Sequence, residues 1–235
     1  MPSACLLVSH GSRDPRPEIA MQRLAELVCG KLELPSQMVG TAYLELHPQP
    51  LHQQIKDFAL QVYKCGCHDI IILPLFLLPG VHVMEDIPQE VELARQMDED
   101  IKISLKPYLG SDNILPLLAK QIANINVDKW IVLAHGSRRP LSQELVEAIA
   151  TSLDAVAAYW SIPPSLETQV HSLVNYGYKH IGILPYFLFS GGITDAIAQS
   201  TQALRLQFPS VSFQLTEPFG ATTELADLIG DMLRK

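Results

Sequence analysis

Short apolar runs alternate along the whole chain with longer stretches in which apolar positions recur every three or four residues. The runs are too continuous for half-exposed strands. They predict buried parallel strands at 4–8, 38–44, 69–75 and 101–105, then at 129–134, 155–158, 180–185 and 212–215. The amphipathic stretches between them predict helices at 17–31, 50–65, 84–97, 111–125, 142–153, 165–175, 194–208 and 222–233. Strand followed by helix throughout is the order of an α/β protein whose parallel sheets carry helices on both faces.

The order also repeats. His10-Gly11-Ser12-Arg13 returns 125 positions later as His135-Gly136-Ser137-Arg138, each time directly after an apolar run. Segment 66–77, which contains Leu73-Pro74-Leu75-Phe76-Leu77, returns as 177–188 with Leu184-Pro185-Tyr186-Phe187-Leu188, now 111 positions apart. The second copy has therefore lost length in between. The reading is two similar flavodoxin- or Rossmann-like α/β/α halves, 1–126 and 127–235, with their boundary near Asn126 and an active-site cleft between their strand tips.

Composition narrows the function classes. A formal net charge of −8 supplies no basic footprint for nucleic acid or an anionic membrane. The longest apolar run, 70–83, is interrupted by Pro74, Pro79, Gly80 and His82 and is too short to span a bilayer. Met1-Pro2-Ser3 does not begin a signal-peptide pattern. Cys5, Cys29, Cys65 and Cys67 lack the two-residue gap of common zinc and redox motifs and read as structural thiols in a reducing, cytoplasmic compartment. A metal clip at Cys65-Gly66-Cys67-His68 is the minor alternative.

Residues able to carry chemistry collect where strands end. His10 follows the first strand, Glu45 the second, and His82 the third, and in a parallel sheet all these tips open on one side. Two imidazoles and a carboxylate suit a divalent first-row metal, and an incomplete ligand set leaves positions open for exchange. Ser12 and Ser137, with the amides after Gly11 and Gly136, are expected to hold an anion at a helix start. Arg13, Arg16, Arg138 and Arg139 beside them suit a ligand with several carboxylates. Gly80 and the pair Gly191-Gly192 allow sharp turns or close approach to a flat ligand. Leu77, Leu78, Pro79, Val81 and Met84 can line a slot for a planar ring or belong to the core. The other histidines, His47, His52, His68, His171 and His180, lack a strand-tip position and read as structural or surface residues.

These residues resemble the class II tetrapyrrole chelatases, and within them the sirohydrochlorin chelatase family. The resemblance rests on Leu7-Val8-Ser9-His10-Gly11-Ser12-Arg13, Tyr43-Leu44-Glu45, the run from Leu73 through Gly80-Val81-His82 to Glu85-Asp86-Ile87-Pro88, and the second His135-Gly136-Ser137-Arg138. It covers essentially the whole chain, in the long, internally duplicated form. It implies insertion of Fe2+ or Co2+, as substrate, into sirohydrochlorin without ATP, with His10 and His82 binding the metal and removing protons and Glu45 assisting. No permanently bound cofactor is implied. The expected partners are the tetrapyrrole and the metal, for a monomer with two pseudo-symmetric halves that binds neither nucleic acid nor membrane.

The copies have diverged. Pro79-Gly80-Val81-His82 is matched by Ser190-Gly191-Gly192-Ile193, and Trp160 or a neighbour stands where Glu45 does. Of the three candidates only His135 persists. The expectation is that the first half carries catalysis through His10, Glu45 and His82. Substrate is held by Ser12, Arg13, Gly80 and Val81 together with His135, Ser137, Arg138, Gly191 and Gly192. Iron and siroheme synthesis form the main reading, cobalt and cobalamin synthesis the alternative, and a non-catalytic metal or tetrapyrrole carrier the competitor from another class.

Overall fold

The computed structural model describes residues 3–96, 101–111 and 114–234. The chain divides into two compact units, each with a four-stranded parallel sheet flanked by helices. In the first, β1 (Ala4–Ser9), β2 (Val39–Tyr43), β3 (Asp69–Pro74) and β4 (Lys102–Leu105) lie in the order β2-β1-β3-β4. In the second, β5 (Lys129–Ala134), β6 (Ala155–Tyr159), β7 (His180–Pro185) and β8 (Ser212–Leu215) repeat it as β6-β5-β7-β8. The order 2-1-3 reverses chain direction across the sheet between β1 and β3, the switch point beside which open α/β sheets bind ligands.

The helices are α1 (Pro15–Leu32), α2 (Leu51–Tyr63), α3 (Ile87–Arg95), α4 (Leu115–Ile122), α5 (Pro140–Ser152), α6 (Leu166–Asn175), α7 (Gly192–Gln207) and α8 (Thr223–Arg234). Met21, Leu24, Ala25 and Val28 of α1 are buried at i, i+3, i+4, i+7, the stripe that a surface helix lays on a sheet. In the first unit Ala4, Leu6 and Val8 of β1 pack with Ile55, Phe58 and Val62 of α2 and Ile87, Val91 and Ala94 of α3. Strand alternation leaves Cys5 and Leu7, equally buried, for the opposite face. Burial also pushes the Cys5 thiol up to about 12, so it is an inert core residue. No helix among the described residues is long and apolar enough to cross a membrane.

Strands β5, β7 and β8 keep the spans that their apolar runs predict. The clearest departure lies between β3 and α3: the chain enters its helix through a π-helical turn, His82–Asp86, where an ordinary helix from residue 84 was expected. The expected end of that helix at Met97 lies outside the described residues, as do 112 and 113 of the next.

Helix packing does not follow the repeat. The first unit comprises 1–112 with 221–235, and the second 113–220. Each repeat's last helix, α4 or α8, thus belongs to the unit built mainly from the other repeat. Helix α8 packs on α1, where Lys31 pairs with Asp227 at 2.6 Å and Arg234 donates to the Lys31 carbonyl at 3.2 Å. Ile229 is fully buried there. Ile229→Ala is expected to cost about 2–5 kcal/mol, read from urea unfolding. Its amide-exchange signature should be lost protection in α1, with α5 and α6 unaffected.

Helix α1 begins with Pro15 behind the N-cap Asp14, whose carboxylate accepts from the Arg16 amide at 3.0 Å and pairs with the Arg16 guanidinium at 2.5 Å. Those two interactions, the guanidinium first, hold the carboxyl down at about 2 against an ordinary 3.8. A depressed carboxylate stabilises the fold above its unfolded pKa and loses that contribution as pH falls through the folded one. Asp14→Asn should therefore flatten part of the decline in urea midpoint between about pH 4 and pH 2, with its own stability deficit confined to higher pH.

Candidate functional site

The site is built by two backbone bonds that prolong the β1–β2 ladder past the end of the strands. Leu44 N–H donates to the Ser9 carbonyl at 2.9 Å, and Glu45 N–H donates to the His10 carbonyl at 2.8 Å. This draws the Glu45 carbonyl against Gly11, whose φ is +97° and where a Cβ would lie 2.1 Å from that oxygen. Glycine is required on both counts. Leu46, at φ +59° and exposed, then turns the chain away. His10 and Glu45 are left side by side with their side chains half exposed.

The third member arrives from the π-helical turn. His10 Nε2 is 3.8 Å from Glu45 Oε2, His82 Nε2 is 4.0 Å from Glu45 Oε1, and the imidazoles meet edge to face with centroids 4.8 Å apart. All three potential ligand atoms lie within 4.8 Å of one another. A four-coordinate ion with bonds of about 2.1 Å holds its ligands about 3.4 Å apart, so binding needs only a contraction of the order of 1 Å. Each ring already has an acceptor at its other nitrogen: the Gly11 carbonyl is 3.3 Å from His10 Nδ1, and Asp86 Oδ2 is 2.7 Å from His82 Nδ1. The role of Asp86 was missed in the sequence, although its four-residue spacing from His82 on a helix was the available signal.

Among the described residues this is the one such group of three or more histidine, cysteine or acidic side chains. The alternative clip does not assemble: Cys65 is exposed, while Cys67 is buried and donates to the Asp69 carbonyl. His52 pairs with Glu90 at 2.8 Å, His180 with Asp128 at 3.2 Å, and His47, His68 and His171 each lie against an aromatic ring.

The second unit repeats the scaffold without the ligands. Trp160 N–H donates to Ala134 and Ser161 N–H to His135, both at 2.9 Å, so Ser161 occupies the position of Glu45. The Ser161 hydroxyl also donates to the His135 carbonyl, at 2.8 Å. His135 and Arg138 are exposed, as are Ser12 and Arg13 in the first unit. The hydroxyls of Ser12 and Ser137 accept from the amides of Asp14 and Arg139, shaping each loop locally.

At the start of α1, where an anion was expected, the Asp14 carboxylate caps the helix and engages Arg16. In α5 the equivalent cap is Arg139, with no side-chain cap bond. Gly80, Gly191 and Gly192 do not have a positive φ, and a Cβ on Gly80 or Gly192 would meet nothing. Neither glycine is demanded by a turn. Val81 is exposed, Leu77 and Leu78 are half-buried, Pro79 is buried, and Met84 projects into solvent beside His82.

Two stretches of the chain, 4–124 and 129–235, each match the model of the CbiX family. A sirohydrochlorin ferrochelatase of Priestia megaterium is 25% identical over 98% of this chain and 89% of that protein. A sirohydrochlorin cobaltochelatase of the same organism is 23% identical over 95% of this chain and 76% of its own length. The solved structure of SirB from Bacillus subtilis with Fe3+ superposes with a TM-score of 0.78 at 24% identity, covering 100% of this chain and 95% of that one. The paired-sheet fold is thus shared.

Gly11→Ala tests the backbone constraint. A methyl group at that position has to displace the Glu45 carbonyl, so Co2+ affinity should fall at least tenfold, with a loss of about 1–3 kcal/mol in urea stability. Isothermal titration with Co2+ alone provides the check.

Proposed function

We propose that this chain, which belongs to the CbiX family, is a sirohydrochlorin chelatase: it inserts a divalent metal, Fe2+ in the main reading, into sirohydrochlorin with release of two protons. The observation that carries this reading is the convergence of His10, Glu45 and His82 at three strand tips of one unit, with their ligand atoms within 4.8 Å.

The reaction exchanges two pyrrole N–H protons for one dication, so the site must hold a metal loosely and accept protons beside it. Three ligands leave positions through which the macrocycle's nitrogens can take over the metal; a closed set of four would retain it. Imidazole is the side chain whose ordinary pKa lies close to neutrality, which suits proton removal at either Nε2. Glu45, between the two rings, offsets the metal's charge as it arrives and that of an imidazolium as a proton leaves the substrate.

Substrate contacts are assigned to Ser12, Arg13, Gly80 and Val81, and to His135, Ser137, Arg138, Gly191 and Gly192. The open space beside Gly80 and Gly192 supports close approach of a flat ring, since nothing in the protein itself fills it. The arginines offer bidentate partners for the substrate's carboxylates. Cobalt insertion is the second reading, favoured by a relative of nearly equal identity that is named for cobalt, and Fe2+ and Co2+ are neighbours in ligand preference. We place the protein in the cytoplasm as a single chain without a resident cofactor; its four free thiols fit a reducing compartment.

Purified protein mixed with sirohydrochlorin and Fe2+, Co2+ or Ni2+ should change the macrocycle's absorbance without ATP, and relative rates will rank the metals. His82→Ala should lower turnover at least about 100-fold while leaving sirohydrochlorin binding, followed by fluorescence quenching, within about threefold. Undiminished turnover in that variant would remove His82 from the chemistry.

A further inference from the structure

The π-helical turn marks a single extra residue in the first repeat. Pro74 and Pro185 end equivalent strands, pairing with Val8 and Leu133 in the same register, 111 positions apart. Past the turn the separation is 110. Ile87, Val91 and Ala94 of α3 are buried with the spacing of Ile197, Thr201 and Leu204 in α7. Arg95 donates to the Ile103 carbonyl as Arg205 does to Phe213, again 110 apart. One residue inserted into a helix is accommodated by widening one turn, and such bulges recur at functional sites. The second repeat, which lacks the residue, runs directly into the regular helix α7 with Gly192 and Ile193 in place of the histidine.

Two side chains of the widened turn meet. His82 at its first position and Asp86 at its last are joined by the 2.7 Å contact between Nδ1 and Oδ2. An ionised carboxylate can only accept, so Nδ1 of a neutral His82 must carry the proton and Nε2 the lone pair. Nε2 is the nitrogen that faces Glu45. The bond from Nδ1 runs away from that group, so Asp86 cannot join the same ion as Nε2 without releasing the ring. His10 is held less firmly, through a 3.3 Å contact with a backbone carbonyl that belongs to its own loop.

We infer that Asp86 is a positioning residue of this site: its carboxylate, held over His82 by the π-helical turn, fixes the imidazole as the Nδ1–H tautomer and aims the Nε2 lone pair at the substrate metal. This rests on the chelatase reading for the identity of the metal as substrate. The orienting of a ligand imidazole by a carboxylate partner is worth about 10–100-fold in metal affinity where it has been removed. The second repeat, with Gly192 and Ile193 in place of the histidine, has no imidazole at this point for a carboxylate to orient.

The test uses the full chain labelled with 15N-histidine. In long-range 1H–15N spectra of metal-free protein, wild-type His82 should show a protonated Nδ1 and a bare Nε2. Asp86→Ala and Asp86→Ser should shift it to a mixture or to the Nε2–H form, while the isosteric Asp86→Asn, which keeps a carbonyl acceptor, should retain much of the Nδ1–H form. Titration with Co2+ alone should show affinity about 10–100-fold weaker in the first two variants, with partial rescue in Asp86→Asn. The inference is overturned if the His82 tautomer is the same in all four proteins, or if Co2+ affinity changes by less than about threefold in both disruptive variants. Failure of the chelatase reading would look different: wild-type protein with the stated tautomer and Co2+ binding, but no insertion into sirohydrochlorin, leaves the assignment of Asp86 standing.

Discussion

One backbone hydrogen bond, from Glu45 N–H to the carbonyl of His10, determines whether this site exists. It continues strand pairing one step past the sheet, into a region where chains ordinarily diverge, and it does so only because Gly11 has no side chain to resist the approaching carbonyl. Everything chemical follows from that closeness. Two side chains whose residues are 35 positions apart become neighbours, and a third, supplied from β3 across the switch point of the sheet, needs to reach only one place to complete the set.

The duplicated scaffold shows what such a constraint is worth by itself. The second unit retains the equivalent bond, from Ser161 to His135, and a glycine at φ +91°. Yet it has serine where the carboxylate stands and glycine and isoleucine where the second imidazole stands. Backbone architecture has been conserved between the copies while its ligands were not, so the geometry of strand tips is separable from the chemistry placed on them. The same separation appears at the first helix of each unit. Asp14 satisfies one helix start with the protein's own carboxylate, and its counterpart Arg139 reverses the charge.

Much of this was legible in the sequence for physical reasons. Parallel strands buried on both faces must be apolar almost without interruption, which is why 129–134 and 180–185 could be delimited from their apolar runs, whereas the edge strand 212–215 alternates exposed and buried positions. His10 and Glu45 were identifiable because they follow such runs directly, and His82 because it lies in the connection after the third. The π-helical turn was not, because one inserted residue barely disturbs a hydrophobic pattern; it emerges only when the repeats are aligned beyond it and the offset drops from 111 to 110. The Asp14 cap at the start of α1 was hidden for a related reason. A serine, two arginines and an aspartate in one loop do not disclose that the aspartate will satisfy the helix and one guanidinium at once. Exchange of the last helices was illegible in principle, since an amphipathic face records that it is buried and not against what.

That exchange bears on how the molecule comes into being. The first unit holds the cluster of His10, Glu45 and His82, but its α1 is covered by a helix whose residue Arg234 contacts Lys31 across 203 positions of chain. On the ribosome the segment carrying His10, Glu45 and His82 is made early, yet the unit that contains it cannot close until α8 has been made. The slow, long-range step in closing the first unit is thereby made to wait on a helix that follows the whole sheet of the second.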